Sequence, residues 1–209
     1  LSTALIKDIP NDQPLMFFTA DHLIEKISVF NKSINKNRSN LTKKNIFIFG
    51  IKPNIPSSEY GYFLTKKIKG NINKVSKFIE KPNENKAKKI IKQNGCWNSG
   101  MFFIRKDSII YNFKKHQPII YKNCIKAIEK AKHKNNTYYL NKTAYVKAPA
   151  KSFDYAILEK TKEINAIKLD IPWSDLGSWK EILKNISQQH TEIVLMQLKR
   201  QNIKLTLII

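Results

Sequence analysis

Two carboxylates far apart in the chain, Asp21 and Asp175, and the charged pair Glu80-Lys81 carry most of its chemical content. Asp21 follows the apolar run Leu15-Met16-Phe17-Phe18, and Asp175 follows Pro172-Trp173-Ser174. An acidic residue just past the carboxyl end of a buried strand lies where open α/β sheets bind ligands. Asp21 also suits the N-cap of the helix that follows, and the two roles are compatible. Brought into one cleft, Asp21 and Asp175 make a hard-oxygen site suited to Mg²⁺ with phosphate ligands. Lys81 then supplies a point charge for a phosphate, while Glu80 and Asn98 read hydroxyls. On a continuous strand Glu80 and Lys81 point to opposite faces, so one of them faces a cleft; a plain exposed strand end is the alternative. Gly61, between Tyr60 and Tyr62, either marks a bulge or lets a backbone N–H approach a ligand. His22 reads as a packing or hydrogen-bonding neighbour, because no second histidine stands at metal-ligand spacing. Together these types ask for a phosphorylated sugar or polyol and metal-assisted phosphoryl chemistry.

The elements that must position these groups are legible as short apolar runs. Leu15–Phe18 and Ile46–Phe49 lack a polar face and read as buried strands. Cys96–Ile104 reads as a polar Asn98-Ser99-Gly100 turn opening onto a buried strand, with Gly100 allowing close approach at its mouth. Lys74–Ile79 and Ile164–Leu169 alternate as strands, and Pro82 stops the first. Helices are predicted over 25–34, 84–94, 107–115, after Pro118, over 152–160 and over 179–186. Their caps are Asp107, Ser152 and Ser178, with Asn94-Gly95 closing the second. Segments 35–44 and 135–145 read as irregular. Strands alternating with helices predict an α/β fold around a mixed, mostly parallel sheet.

The chain has 209 residues, 42% of them hydrophobic, which predicts a globular domain with a sizeable core. The net charge of +22 raises nucleic acid as a partner. The lysines are scattered among asparagines and isoleucines rather than gathered on one helix, which predicts no specific nucleic-acid site. Cys96 and Cys124 show no metal or disulfide spacing, as in a reducing, cytoplasmic setting. No apolar run approaches the roughly 20 residues of a membrane span.

Six motifs stand in a fixed order. They are Ala20-Asp21-His22, Tyr60-Gly61-Tyr62, Phe78-Ile79-Glu80-Lys81-Pro82, Trp97-Asn98-Ser99-Gly100-Met101-Phe102, Ser152-Phe153-Asp154-Tyr155-Ala156-Ile157-Leu158-Glu159 and Trp173-Ser174-Asp175-Leu176-Gly177-Ser178-Trp179. Over roughly residues 14 to 185 the chain resembles the mannose-1-phosphate guanylyltransferase (GDP-mannose pyrophosphorylase) family of sugar nucleotidyltransferases. The resemblance implies a Rossmann-like, GT-A-like three-layer sandwich that makes GDP-mannose and pyrophosphate from GTP and mannose 1-phosphate with Mg²⁺. It implies that Asp21 and Asp175 hold the metal, that Gly61, Glu80 and Asn98 contact the sugar, and that Lys81 meets the sugar phosphate. Asp154 and Glu159 join the candidates on the same ground.

The family pattern opens with a strand and a glycine-rich loop that grips the nucleotide phosphates, and nothing like it occurs in residues 1–13. The expectation is therefore an N-terminally truncated nucleotidyltransferase domain over residues 1–189 with a divergent tail over 190–209. Alone it is expected to be inactive, unless a separate N-terminal chain or a homo-oligomer completes it. A non-catalytic sugar-phosphate binder and a basic nucleic-acid-binding protein are the competing readings.

Overall fold

The computed structural model describes residues 1, 5–6, 8–69, 72–135 and 137–177. In chain order its strands are β1 (Pro14–Phe17), β2 (Leu23–Ile24), β3 (Ile46–Ile51), β4 (Tyr62–Lys69), β5 (Ile72–Ile79), β6 (Cys96–Arg105), β7 (Lys132–Lys134), β8 (Thr137–Tyr139), β9 (Ile164–Leu169) and β10 (Trp173–Ser174). The α-helices are α1 (Ile27–Asn37), α2 (Glu84–Lys92), α3 (Lys106–His116), α4 (Pro118–Glu129) and α5 (Lys142–Tyr145), and a π-helical turn spans Asp154–Leu158. The chain divides into two compact units. The first comprises Leu1–Thr19 and Lys26–Ile171, the second Ala20–Glu25 and the segment from Pro172 onward.

The first unit is built on a six-stranded sheet in the order β1-β6-β3-β9-β5-β4, with β4 also pairing β6. β3 is its centre. All six residues of Ile-Phe-Ile-Phe-Gly-Ile are buried, as a strand covered on both faces requires. Ile46 and Ile48 point into one core with Ile104 of β6, Ile109 and Phe113 of α3, Ile157 of the π-turn and Ala166 of β9. Phe49 points the other way and meets Phe30 of α1 at 5.2 Å between ring centroids. Helices therefore cover both faces of the sheet.

The sheet is mixed, but the expectation of mostly parallel strands is corrected. β3 and β9 pair parallel. The pairings β1–β6, β3–β6, β4–β5, β4–β6 and β5–β9 are antiparallel. Alternating strand and helix signals suggested βαβ units, yet β4 follows no helix and pairs directly with β5. Hydrophobic periodicity carries no strand direction.

Other readings are also revised. β1 is a half-buried edge strand and Phe18 is exposed. The Asn98-Ser99-Gly100 triplet lies inside β6, not in a turn before it. Between Ile48 and Gly50 the register on β6 moves from Phe102 to Asn98. That bulge absorbs the polar residues, with Gly100 at φ 75°, a conformation glycine adopts without cost. Asp21 does not cap α1, whose N-cap is Lys26. Asp107 grips Arg105, Nη2 to Oδ2 2.7 Å, instead of capping α3. Segments 35–44 and 135–145 contain the end of α1 and a short 3₁₀ turn, and β8 with α5. The predicted helix over 179–186 and the boundary at 189/190 lie outside the described residues.

Both cysteines are buried and free. Among the described residues no helix is long and apolar enough to cross a membrane.

Candidate functional site

In the first unit three strands converge at one end. Tyr62 of β4 pairs with Ile79 of β5 on one side and Trp97 of β6 on the other. The next position on each chain is Gly61, Glu80 and Asn98. The Asn98 N–H donates to the Gly61 carbonyl at 2.7 Å. A Cβ placed on Gly61 would overlap Glu80 Oε2 and stand 3.5 Å from Asn98 Cβ. Gly61 is required here for room: the Glu80 carboxylate already lies where a side chain at position 61 would begin.

Glu80 Oε2 is buried and has no hydrogen-bond donor. Its carboxyl is pushed up to about 7, chiefly by burial and then by Asp154, with Glu159 adding and Lys81 opposing. Asn98 Nδ2 donates to Asp154 Oδ1 at 2.9 Å. Burial also raises the Asp154 carboxyl, against the hydrogen bonds from its own backbone N–H and from Asn98. Lys81 is exposed, yet its charge reaches both Glu80 and Asp154. The opposite-face expectation fails because β5 ends at Ile79 and Lys81 turns into the left-handed region at φ 44°, which breaks the strand alternation. Tyr60 packs on Trp97 with centroids 4.6 Å apart. Tyr60 entered the sequence reading as a neighbour of Gly61 and Trp97 as a motif member, and neither was given a role.

The second unit holds the aspartates. β2 and β10 pair antiparallel, Trp173 with Ile24 and Ser174 with Leu23, and Glu25 N–H donates to the Pro172 carbonyl at 3.3 Å. One step beyond the ladder stand His22 and Asp175. Trp173 Nε1 donates to His22 Nδ1 at 3.3 Å, with the rings at 90°. Nδ1 is thus the acceptor nitrogen, and the proton of the neutral ring sits on Nε2, 3.9 Å from Asp21 Oδ1. Burial lowers the His22 pKa and outweighs the pull of both Asp21 and Asp175. The two carboxylates therefore act on one imidazole, and His22 is the hydrogen-bonding neighbour predicted from sequence. Asp175 Oδ1 accepts from Gly177 N–H at 3.2 Å, across Leu176 at φ 49°.

The predicted site residues thus fall into two sets, Gly61, Glu80, Lys81, Asn98 and Asp154 in one unit, and Asp21 and Asp175 in the other. The first set brings carboxylates, an amide and a cation together at one end of the sheet, hydrogen-bonding types that suit a phosphorylated polyol. The second fits Mg²⁺ in donor chemistry: Mg²⁺ commonly takes one or two protein carboxylates and completes its shell with water and phosphate oxygens. Among the described residues no group of three or more His, Cys, Asp or Glu forms a cage of its own, so substrate oxygens would have to supply the remaining ligands.

The family model described as nucleotidyl transferase matches residues 2–192, and the chain belongs to that family. It is 31% identical over 175 residues to the alginate biosynthesis protein AlgA of Pseudomonas aeruginosa, covering 82% of this chain and 36% of that protein. It is also 31% identical over 180 residues to the mannose-1-phosphate guanylyltransferase of Escherichia coli, covering 83% of this chain and 39% of that one. The chain therefore spans little more than a third of the length of these relatives. Its fold superposes with a TM-score of 0.72 on a Thermus thermophilus structure described as mannose-1-phosphate geranyltransferase, at 22% identity, covering 84% of this chain and 50% of that one.

Proposed function

We propose that this chain serves the transfer of GMP from GTP to mannose 1-phosphate, yielding GDP-mannose and pyrophosphate. The observation that carries the reading is the buried, donor-less Glu80 Oε2 packed against Gly61. A buried carboxylate oxygen without a donor is costly, and a sugar hydroxyl is the donor that fits. Asn98 supplies a second polar contact, and Lys81 places a positive charge for the sugar phosphate. The names of the relatives support the choice of sugar and nucleotide.

In this reading a mannose 1-phosphate oxygen attacks the α-phosphorus of GTP in line, and the bond to the departing pyrophosphate breaks. Asp21 and Asp175 would hold Mg²⁺, which when bound would offset negative charge on the phosphate oxygens. Burial lowers the His22 pKa against the pull of both aspartates, so the imidazole adds little positive charge beside them. Glu80 and Asn98 fix the sugar, so that positioning and charge supply the rate.

Calorimetry or ligand-observed NMR with mannose 1-phosphate tests the sugar subsite. Gly61→Val displaces the Glu80 carboxylate and is expected to weaken binding by about tenfold or more, with the circular dichroism unchanged. Equal binding by the folded variant, or no preference of the unsubstituted chain for mannose 1-phosphate over inorganic phosphate, overturns the reading.

A further inference from the structure

We propose that Asp154 is a positioning residue: it holds the Asn98 side-chain amide in the one orientation in which that amide reads a sugar hydroxyl. An asparagine amide has a donor end and an acceptor end of nearly equal size, and rotation by half a turn exchanges them. Asn98 is 7% exposed, so water does not decide between the two. Its neighbours do. Nδ2 donates to Asp154 Oδ1 at 2.9 Å, and Oδ1 faces the Gly100 N–H at 3.4 Å. Turning the amide over would set Asn98 Oδ1 against Asp154 Oδ1 and Nδ2 against the Gly100 N–H, losing both contacts. One N–H and one lone pair of Asn98 remain for a ligand, and both Asn98 and Glu80 Oε2 pack against Gly61.

Asp154 can impose this choice because it is itself held. It opens the π-turn, in which Glu159 N–H returns to the Asp154 carbonyl at 3.0 Å. Ala156, Ile157 and Leu158 are all at most 1% exposed. Gln117 Nε2, at the end of α3, donates to the Ala156 carbonyl at 2.9 Å. Single π-turns gather at functional sites because the extra residue re-aims one side chain at the expense of helix regularity. Here the re-aimed side chain reaches a strand 56 positions earlier in the chain.

The orientation of Asn98 follows from these contacts alone, whereas its role toward a sugar rests on the function proposed above. The test separates the two. In ¹⁵N NMR of the ligand-free chain, the Asn98 amide protons are expected as two resolved, slowly exchanging signals. Asp154→Leu should collapse that protection, speeding exchange by about tenfold or more, and Asp154→Asn, which keeps an acceptor, should largely preserve it. Mannose 1-phosphate binding should weaken about tenfold in Asp154→Leu and within about threefold in Asp154→Asn. In an Asn98→Ala background, Asp154→Leu should cost nothing further. Should Asp154→Leu fail to fold, Asp154→Ser, too short to reach the amide, replaces it. Unchanged Asn98 protection in the truncated variant overturns the proposal. So does an equal loss of binding with and without Asn98, which would make Asp154 a direct ligand contact. If the unsubstituted chain does not bind mannose 1-phosphate while the amide responds as described, the positioning stands and the proposed function falls.

Discussion

Glu80 is the residue at which folding and ligand chemistry pull against each other. Its carboxyl rises from the usual 4.5 to about 7, so the fold prefers the protonated form. The stability this group contributes is whole below 4.5 and is lost as pH rises through about 7. Glu80→Gln, which keeps the shape without the charge, is expected to match the unsubstituted chain near pH 4.5. At pH 8 it should melt higher by about 2–4 °C, for roughly 1 kcal/mol after discounting for partial solvent screening. A hydroxyl donor favours the ionised carboxyl instead. Affinity for mannose 1-phosphate should therefore rise by up to about tenfold from pH 6 to pH 8, and that part of the rise should vanish in Glu80→Gln. The ligand phosphate ionises near 6, but this is common to both proteins and cancels. Parallel binding profiles would show that Glu80 does not meet the sugar. Gly61, Glu80 and Asn98 were legible in sequence because each stands at the end or opening of an apolar run. The bond from Asn98 to Asp154 was not, because types and local spacing say nothing of which partner 56 residues away completes an amide.

At the scale of elements, the buried strand β3 could be read from its unbroken apolar run, and β5 and β9 from theirs. Direction could not, and the antiparallel pairings that bring Gly61, Glu80 and Asn98 side by side depend on it. The bulge in β6 was hidden too: a polar triplet before an apolar run has the look of a turn until a neighbouring strand is seen to pair on both sides of it. Lys106 shows a further kind of silence. It is 5% exposed and its ammonium donates to the carbonyls of Ile6, at 2.9 Å, and Ile9, at 2.5 Å. Its backbone N–H meets the Gln13 carbonyl at 3.0 Å, and Asp107 N–H meets that of Asn11 at 2.8 Å. A lysine in a lysine-rich chain gives no hint of such a task. Lys106→Met keeps the length and removes the donor, leaving two carbonyls without their charged partner. The expected cost is about 1–3 kcal/mol, with faster hydrogen exchange at the amides of residues 106 and 107. Unchanged exchange would mean that packing, not the ammonium, holds the segment that leads into β1.

For the molecule as a whole, 38 lysines and arginines against 16 acidic residues leave +22. Among the described residues the ion pairs between lysine or arginine and a carboxylate are Lys74–Glu163, Lys88–Glu84 and Arg105–Asp107. Such pairs take up little of the excess, so like charges face one another across the surface. Self-repulsion on that scale destabilises a compact state and is screened by salt, with a Debye length of about 10 Å at 0.1 M. The same lysines attract any polyanion, and that attraction weakens as salt competes for the phosphates. The two effects run in opposite directions, which makes them separable in one titration. Raising salt from about 20 mM to about 300 mM is expected to raise the melting temperature while abolishing retention of duplex DNA of arbitrary sequence. Glu80 and Asp154 beside the candidate sugar pocket oppose a polyanion there, so mannose 1-phosphate should not displace the DNA by competition for one site. Sequence-selective DNA binding that persists at 150 mM salt, or competition between DNA and mannose 1-phosphate, would mean that the charge is organised for nucleic acid and that the scattered lysines converge on the folded surface.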